Sequence, residues 1–134
     1  MTKSNAKDWR NRPIADWNIT TFHAFIIDRT AELYGHTYAP GGRGSKAQRW
    51  SLEKGMLKRA QQQYGNEVLR RFIEICWAEY RTTKPEEYPY PTFVFMYSWM
   101  DRYFDRAVAE VTKEQRRSEA TDDTESIEDL ADWI

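Results

Sequence analysis

Four segments of this chain place apolar residues at the 3.6-residue spacing of an α-helix, and this periodicity limits the fold more than any other feature. No segment shows the sustained two-residue alternation of a half-buried strand. The clearest helical stripe consists of Val68, Leu69, Phe72, Ile73, Cys76, Trp77 and Tyr80. The chain is therefore predicted to be all-α, a small irregular four-helix domain.

Capping residues and glycines give the bounds of the first two helices. The first is predicted from about Thr20 to Tyr34, with Asn18 or Thr20 as its cap and Gly35 at its end. The second follows the glycine-rich loop 36–44, where Ser45 and a glutamine three residues later predict a capping box. Its apolar face is predicted to contain Leu52, Met56, Leu57, Ala60 and Tyr64.

Asn66 is predicted to cap the third helix, and Thr92 the fourth. Three prolines make the connection over 82–91 extended, with Tyr88 and Tyr90 predicted to hold it against the body. The fourth helix is predicted to be long and unbroken, continuing to about Arg117. Its apolar stripe is Phe93, Met96, Tyr97, Met100, Phe104, Ala107 and Val111.

The chain of 134 residues is expected to form one helical domain over 18–117 between two less regular ends. Residues 1–17 are predicted to be a flexible basic arm with Trp9 as an anchor. Residues 118–134 are predicted to be a mobile acidic tail with an apolar terminus and a short amphipathic turn.

A formal net charge of −1 hides a strong separation of charge along the chain. Between Gly41 and Arg71 there are eight basic and two acidic residues. Over 119–134 there are seven acidic residues and no basic one. The sequence therefore predicts a basic body that carries an acidic end.

Several classes of protein are disfavoured by what the sequence lacks. It has no apolar run long enough to span a membrane and no secretory signal, so we expect a cytoplasmic protein. His23, His36 and Cys76 have no recognised metal-ligand spacing, and Cys76 lies on an apolar stripe. The run 41–46 lacks the ending of a phosphate-binding loop. We expect no enzyme activity, no cofactor and no metal.

The first candidate binding feature is a set of cations that we call the basic strip. Phosphates suit such a surface, because each cation that neutralises one releases condensed counterions. The alternative is an ordinary solvated surface in which Glu67 pairs with Arg70 or Arg71. The basic strip consists of Arg43, Lys46, Lys54, Lys58, Arg59, Arg70 and Arg71.

A second candidate lies on the fourth helix, opposite its apolar stripe. Aromatic residues interleaved with arginines could stack unpaired bases while holding their phosphates. The alternative is that this helix is central and packs against other helices on both sides. The residues are Phe95, Trp99, Arg102 and Arg106.

The acidic end is the third candidate. An anionic segment with an apolar end could dock on a protein partner or compete for the basic strip, and the alternative is a solubilising tail. The predicted partner-binding residues are Asp129, Leu130, Asp132, Trp133 and Ile134.

Three runs together resemble the helical domain of bacteriophage replication proteins of the replisome-organiser and helicase-loader type: TFHAFIIDRTAELYGHTYAP, EKGMLKRAQQQYGNEVLRRFIEICWAEY and YPYPTFVFMYSWMDRYF. The resemblance covers about 20–105 and implies a replication context without an active site. The winged-helix portion of the longer initiators has no counterpart, so origin recognition is not implied. The acidic end is similar in function to the termini of single-strand DNA-binding proteins.

The resulting expectation is a non-enzymatic bacteriophage DNA replication accessory protein in the host bacterial cytoplasm. It would bind single-stranded or forked DNA through the basic strip and recruit a replisome protein through its tail. The alternative is a phage adaptor or inhibitor that binds a host protein without contacting DNA.

Overall fold

The computed structural model describes residues 5–41 and 43–131, and side chains as far as Ala120. The α-helices are α1 (Ile19–Tyr34), α2 (Lys46–Tyr64), α3 (Asn66–Glu79), α4 (Phe93–Trp99) and α5 (Tyr103–Ala131). A short 3₁₀ helix over Ile14–Asp16 precedes them. The described ranges contain no strand, which confirms the all-α class, but they contain five α-helices where four were predicted.

Local capping chemistry begins α1 and α2 where the sequence indicated. Asn18 is the cap of α1, since its side chain accepts a hydrogen bond of 2.9 Å from the Thr21 amide. Gly35 ends this helix in the left-handed conformation, at φ 70°. Ser45 and Gln48 form the predicted capping box of α2.

The predicted cap of α3 is wrong. Asn66 is the first residue of the helix, and the preceding Gly65, at φ 84°, makes no side-chain cap. The side-chain nitrogen of Asn66, Nδ2, instead donates to the backbone carbonyl oxygens of Ile14 at 2.8 Å and Trp17 at 2.9 Å. These hydrogen bonds hold the N-terminal segment against the start of α3. Only Gly65 separates α2 from α3.

The described part of the N-terminal segment, 5–17, has little regular structure but packs on the core. Trp9 is buried, as expected of an anchor, and its indole nitrogen donates to Asp28 at 2.9 Å. Trp17 is also buried and contacts Phe22 and Phe25 with ring centroids 5.0 and 5.2 Å away. Two tryptophans from outside the four predicted helices therefore extend the core.

The predicted long fourth helix is wrong, because it is broken at residues 100–102. Helix α4 ends at Trp99 and α5 begins at Tyr103. Met100 and Phe104 are both buried. Because they are four residues apart, an unbroken helix would also place them on one face, so their apolar pattern does not indicate the break. The two helices that it separates have different neighbours, since α4 contacts α2 and α3 whereas α5 packs mainly on α3.

The end of the fourth helix was also predicted wrongly. Helix α5 passes Arg117 and continues to Ala131. It runs antiparallel to α3, because Arg106 on α5 pairs with Glu79 near the end of α3 and Gln115 contacts Glu67 near its start. Beyond Gln115, α5 therefore extends past the start of its partner helix.

Helix α3 lies at the centre of the core. Its predicted stripe is confirmed, with Leu69, Phe72, Ile73 and Cys76 fully buried. The Phe72 ring stacks on Phe104 of α5, with centroids 3.6 Å apart. This packing joins α3 to α5.

Candidate nucleic-acid interface

Helix α2 and the loop before it present five exposed cations that we call the basic surface. None of them forms an ion pair with a described carboxylate. Lys54 and Lys58 lie one helical turn apart and so project from the same side. The basic surface consists of Arg43, Lys46, Lys54, Lys58 and Arg59.

The only acidic residue of α2, Glu53, is removed from that surface by burial. Its side chain is 0% exposed and accepts hydrogen bonds from His23 Nε2 at 3.0 Å and from the Tyr38 hydroxyl. Leu52, predicted on the apolar face, is 46% exposed instead. The exposed side of α2 therefore carries positive charge without a negative residue from the same helix.

Tyr38 connects this buried carboxylate to α4. Its hydroxyl donates to Glu53 and accepts a 3.0 Å hydrogen bond from the Phe93 amide at the start of α4. Burial, followed by the charge and hydrogen bond of Glu53, raises the pKa of Tyr38 well above its usual value. The network fixes the loop before α2 relative to α1, α2 and α4.

Two members of the predicted basic strip are not available to a ligand as free charges. The Arg70 guanidinium lies 4.9 Å from the Trp17 ring centroid and pairs with Glu74 at 3.7 Å. Arg71 bridges to α5, 3.5 Å from Glu110 and 2.6 Å from Glu114.

The hydrogen bond to Glu114 raises the pKa of Arg71. Arg70 and Arg71 are therefore already engaged in ion pairs, and their place in the seven-residue strip stays a prediction. The alternative pairing with Glu67 is wrong, because the arginines have other carboxylate partners. Packing of α5 on α3, which the sequence did not reveal, supplies the partners of Arg71.

A second surface feature is an open groove of about 530 Å³ between α4 and the connection that precedes it. We call it the aromatic groove. Phe95 is 41% exposed and Trp99 is 70% exposed, so the interpretation that this helix packs on both sides is wrong for these two residues. The lining includes Tyr80, Arg81, Tyr88, Tyr90, Phe95 and Trp99.

The two arginines predicted beside these aromatic residues behave differently. Arg102 lies next to the groove, since its guanidinium donates to the Trp99 carbonyl at 3.3 Å, and it has no described carboxylate partner. Arg106 pairs with Glu79 at 3.1 Å and with Glu110 at 3.5 Å. The predicted set of four is therefore reduced to Phe95, Trp99 and Arg102, because the helix break and these ion pairs separate Arg106 from it.

The connection 80–92 contributes groove residues that the sequence prediction missed. Tyr90 does hold the connection to the body, accepting from the Ala39 amide at 3.0 Å. Tyr88 does not, because its side chain is 59% exposed and lines the groove. A cluster of aromatic residues between prolines was the available signal, but without the fold it did not indicate which rings face solvent.

Helix α5 carries the predicted tail only in part. Asp129 and Leu130 belong to its last turns, and their side chains are not described. Asp132, Trp133 and Ile134 lie outside the described residues.

The remaining chemistry of the described residues is sparse. A second groove, of about 450 Å³, lies between α1 and α2 and includes His23, Trp50 and Lys54 in its lining. Cys76 is fully buried, and burial raises the pKa of its thiol to about 12. No cluster of three or more potential metal ligands occurs among the side chains of 5–41 and 43–120, and no helix of the described residues has the length and apolarity to cross a membrane.

Comparisons with protein-family models, curated protein sequences and solved structures find no match to this chain.

Proposed function

We propose that this protein is a non-enzymatic accessory factor of bacteriophage DNA replication that contacts single-stranded or forked DNA through the basic surface. The observation that carries the proposal is on α2. Lys46, Lys54, Lys58 and Arg59 are all exposed on it, and the only acid of that helix, Glu53, is fully buried.

Polyelectrolyte physics favours DNA as the ligand of such a surface. Each phosphate that a cation neutralises releases condensed counterions, so binding is strong at low salt and weakens steeply as salt rises. Full engagement of the five cations would give a slope of log K against log salt of roughly −3 to −4 on single strands.

Two further features support the replication context. The three helical runs resemble those of phage replisome-organiser and helicase-loader proteins. The seven acidic residues over 119–134 suit recruitment of a replisome protein with a basic surface. In this role the protein acts in the host bacterial cytoplasm.

The test is fluorescence anisotropy with single-stranded, duplex and forked DNA across salt concentrations. The variant Lys54→Glu with Lys58→Glu is expected to weaken binding at least about tenfold at low salt and to lower the salt slope by about one or more. The matched control is Lys113→Glu with Arg117→Glu, two exposed residues with the same spacing on α5.

The control makes the same change in net charge, so it separates a local interface from a general charge effect. Equal losses in the two double variants would argue against the basic surface. Absence of any DNA association at low ionic strength would remove the proposed role altogether.

The second candidate is an adaptor or inhibitor that binds a host protein without DNA. It is favoured by the projection of α5, whose residues Lys113 to Ala120 are all exposed and which continues through Ala131 beyond the start of α3. A pull-down from bacterial lysate separates the candidates. A stoichiometric partner that survives nuclease treatment, with no DNA affinity of the purified protein, would favour the adaptor.

A further inference from the structure

The aromatic groove has the chemistry of a site for unpaired bases. Trp99, at 70% exposure, and Tyr88, at 59%, are among the most exposed large side chains described. Tyr80 holds two other parts of the groove, because its ring contacts Phe95 edge to face at 5.9 Å and its hydroxyl donates to the Tyr88 backbone carbonyl at 2.8 Å. Aromatic rings held in place and open to solvent can stack on bases at little cost in side-chain entropy.

Arg81 is the one charged residue among the described residues that line the groove, and its positive charge favours an anionic occupant. Arg81 lines the groove and donates to the carbonyl oxygens of Ala78 and Tyr80, which leave its positive charge unneutralised. Arg102 donates to the Trp99 carbonyl and lies 4.6 Å from the Tyr103 ring centroid. Neither guanidinium forms an ion pair with a carboxylate among the described side chains.

The groove also adjoins the basic surface. Gly41 lines the groove, and an added Cβ at Gly41 would lie 3.2 Å from the Thr92 hydroxyl at the start of α4. Arg43 is only two residues further along the chain, and α2 begins at Lys46. A strand lying across the loop before α2 would therefore pass from stacking rings to phosphate-binding cations. Arg102 and the acidic residues nearby in sequence, Glu86, Glu87 and Asp101, are all exposed and lie outside the groove lining, so Arg81 is the charged residue within it.

We propose that the aromatic groove is a single-stranded nucleic-acid site in which Trp99, Phe95 and Tyr88 stack on unpaired bases while Arg81 and Arg102 hold the adjoining phosphates. This inference rests on the proposed function and deepens it, because it selects single strands over duplex. Paired bases are stacked on their neighbours and cannot present their faces to the groove.

The test compares the full-length chain and its variants on three probes: an oligo-dT strand of about 20 nucleotides, an abasic strand of equal length and a duplex. The abasic strand keeps the phosphates but lacks the bases. Trp99→Ala is expected to weaken binding to oligo-dT by roughly 5- to 100-fold, with little change on the abasic strand or the duplex and an unchanged salt slope. Trp99→Phe, which keeps an aromatic ring, is expected to retain most of the affinity.

Leu33→Ala provides the matched control, because Leu33 is an exposed apolar residue, 46% accessible, on α1 and outside the groove. It is expected to leave all three affinities unchanged. Salt-dependent binding that is weakened by Lys54→Glu with Lys58→Glu but not by Trp99→Ala would overturn the groove inference and leave the proposed function standing. Wild-type protein that binds oligo-dT and the abasic strand equally would also overturn the inference. Failure of every probe to bind at low salt would overturn both proposals.

Discussion

The burial of Glu53 leaves the exposed residues of α2 without a negative charge, because Glu53 is the only acid on that helix. Burying a carboxylate costs several kcal/mol unless hydrogen bonds replace the lost water. His23 and Tyr38 provide those contacts, and the Trp50 ring packs edge-on against His23 with centroids 5.1 Å apart. The fold thus removes a negative charge from the surface and uses it to join α1, the loop before α2 and α4.

Replacing Tyr38 with phenylalanine is expected to lower the free energy of unfolding by about 2 to 4 kcal/mol. The substitution leaves Glu53 Oε1 and the Phe93 amide without their hydrogen-bond partner in the interior, while His23 stays bonded to Glu53 Oε2. Chemical denaturation measures the change. Tyr88→Phe is the control, because the Tyr88 ring is largely exposed, and we expect it to change stability by less than about 0.5 kcal/mol. Similar losses in the two variants would contradict a buried network at Tyr38.

The raised pKa of Tyr38 also predicts how stability changes with alkaline pH. The folded chain holds the phenol proton more tightly than the unfolded chain, whose tyrosine titrates near pH 10. The stabilisation is fully present below that pH and is lost as pH rises above it, by up to about 1.4 kcal/mol per pH unit for this group. Unfolding curves above pH 10 should therefore fall less steeply for Tyr38→Phe than for wild type. If the free energy of unfolding fell equally steeply with pH in both proteins, Tyr38 would not contribute to the alkaline loss of stability.

The sequence could not predict this network. Apolar periodicity placed Leu52 on the inner face of α2, whereas the helix turns Glu53 inward and leaves Leu52 exposed. A buried charged residue interrupts such a pattern, and only its partners justify it. Those partners are 30 and 15 residues away in the chain, at His23 and Tyr38.

At the scale of helices, local chemistry was predictable and tertiary geometry was not. The caps at Asn18 and Ser45 depend on residues three positions apart, so the sequence indicated both. The break between α4 and α5 has no proline or glycine to mark it. The helices on its two sides pack differently, α4 on α2 and α3 and α5 on α3, and these contacts are distant in sequence.

Arg71 illustrates the same point, because its role depends on which helix lies beside it. Arg71→Gln is expected to lower the free energy of unfolding by about 1 kcal/mol or less, since its bridges to Glu110 and Glu114 are partly exposed. The loss should shrink at high salt, where such pairs are screened. Thermal unfolding at low and high ionic strength measures both effects.

DNA affinity provides the contrasting measurement for Arg71→Gln. The variant should bind oligo-dT within about twofold of wild type, because this guanidinium is already paired with carboxylates. A loss of DNA affinity as large as that caused by Lys54→Glu with Lys58→Glu would show that Arg71 belongs to the DNA interface. Glu114→Gln is the matched control, since it weakens the same bridge from the other side without removing a cation.

Among the described residues, some of the positive charge is paired and some is not. Arg70, Arg71 and Arg106 stabilise the contacts of α3 with the N-terminal segment and α5, whereas the basic surface, Arg81 and Arg102 are exposed and form no ion pair with a described carboxylate. Composition predicted a basic region, and five of its seven proposed residues are exposed as expected. The aromatic groove was predicted only in part, because its lining combines α4 with a connection whose folded path the sequence does not specify.

The acidic end should oppose DNA binding in the intact chain. Removing residues 119–134 deletes seven acids and no base, and changes the formal net charge from −1 to +6. Opposite charges tethered on one chain compete with a polyanion for the same cations, at a high effective concentration. The truncated protein is therefore expected to bind single-stranded DNA several-fold more tightly at low salt, with the gain fading as added salt shortens the Debye length below about 10 Å.

The matched control for this truncation is a full-length chain in which residues 119–134 are permuted, so that charge and length are kept. Affinity equal to wild type would attribute the effect to charge rather than to a specific docking sequence. The ion pairs of Arg71 and Arg106 and the contact of Gln115 with Glu67 join α3 and α5 outside the deleted segment, so the truncated protein should keep its thermal midpoint within a few degrees. If truncation instead weakens DNA binding while the midpoint is kept, the acidic end contributes to the complex and does not compete with it.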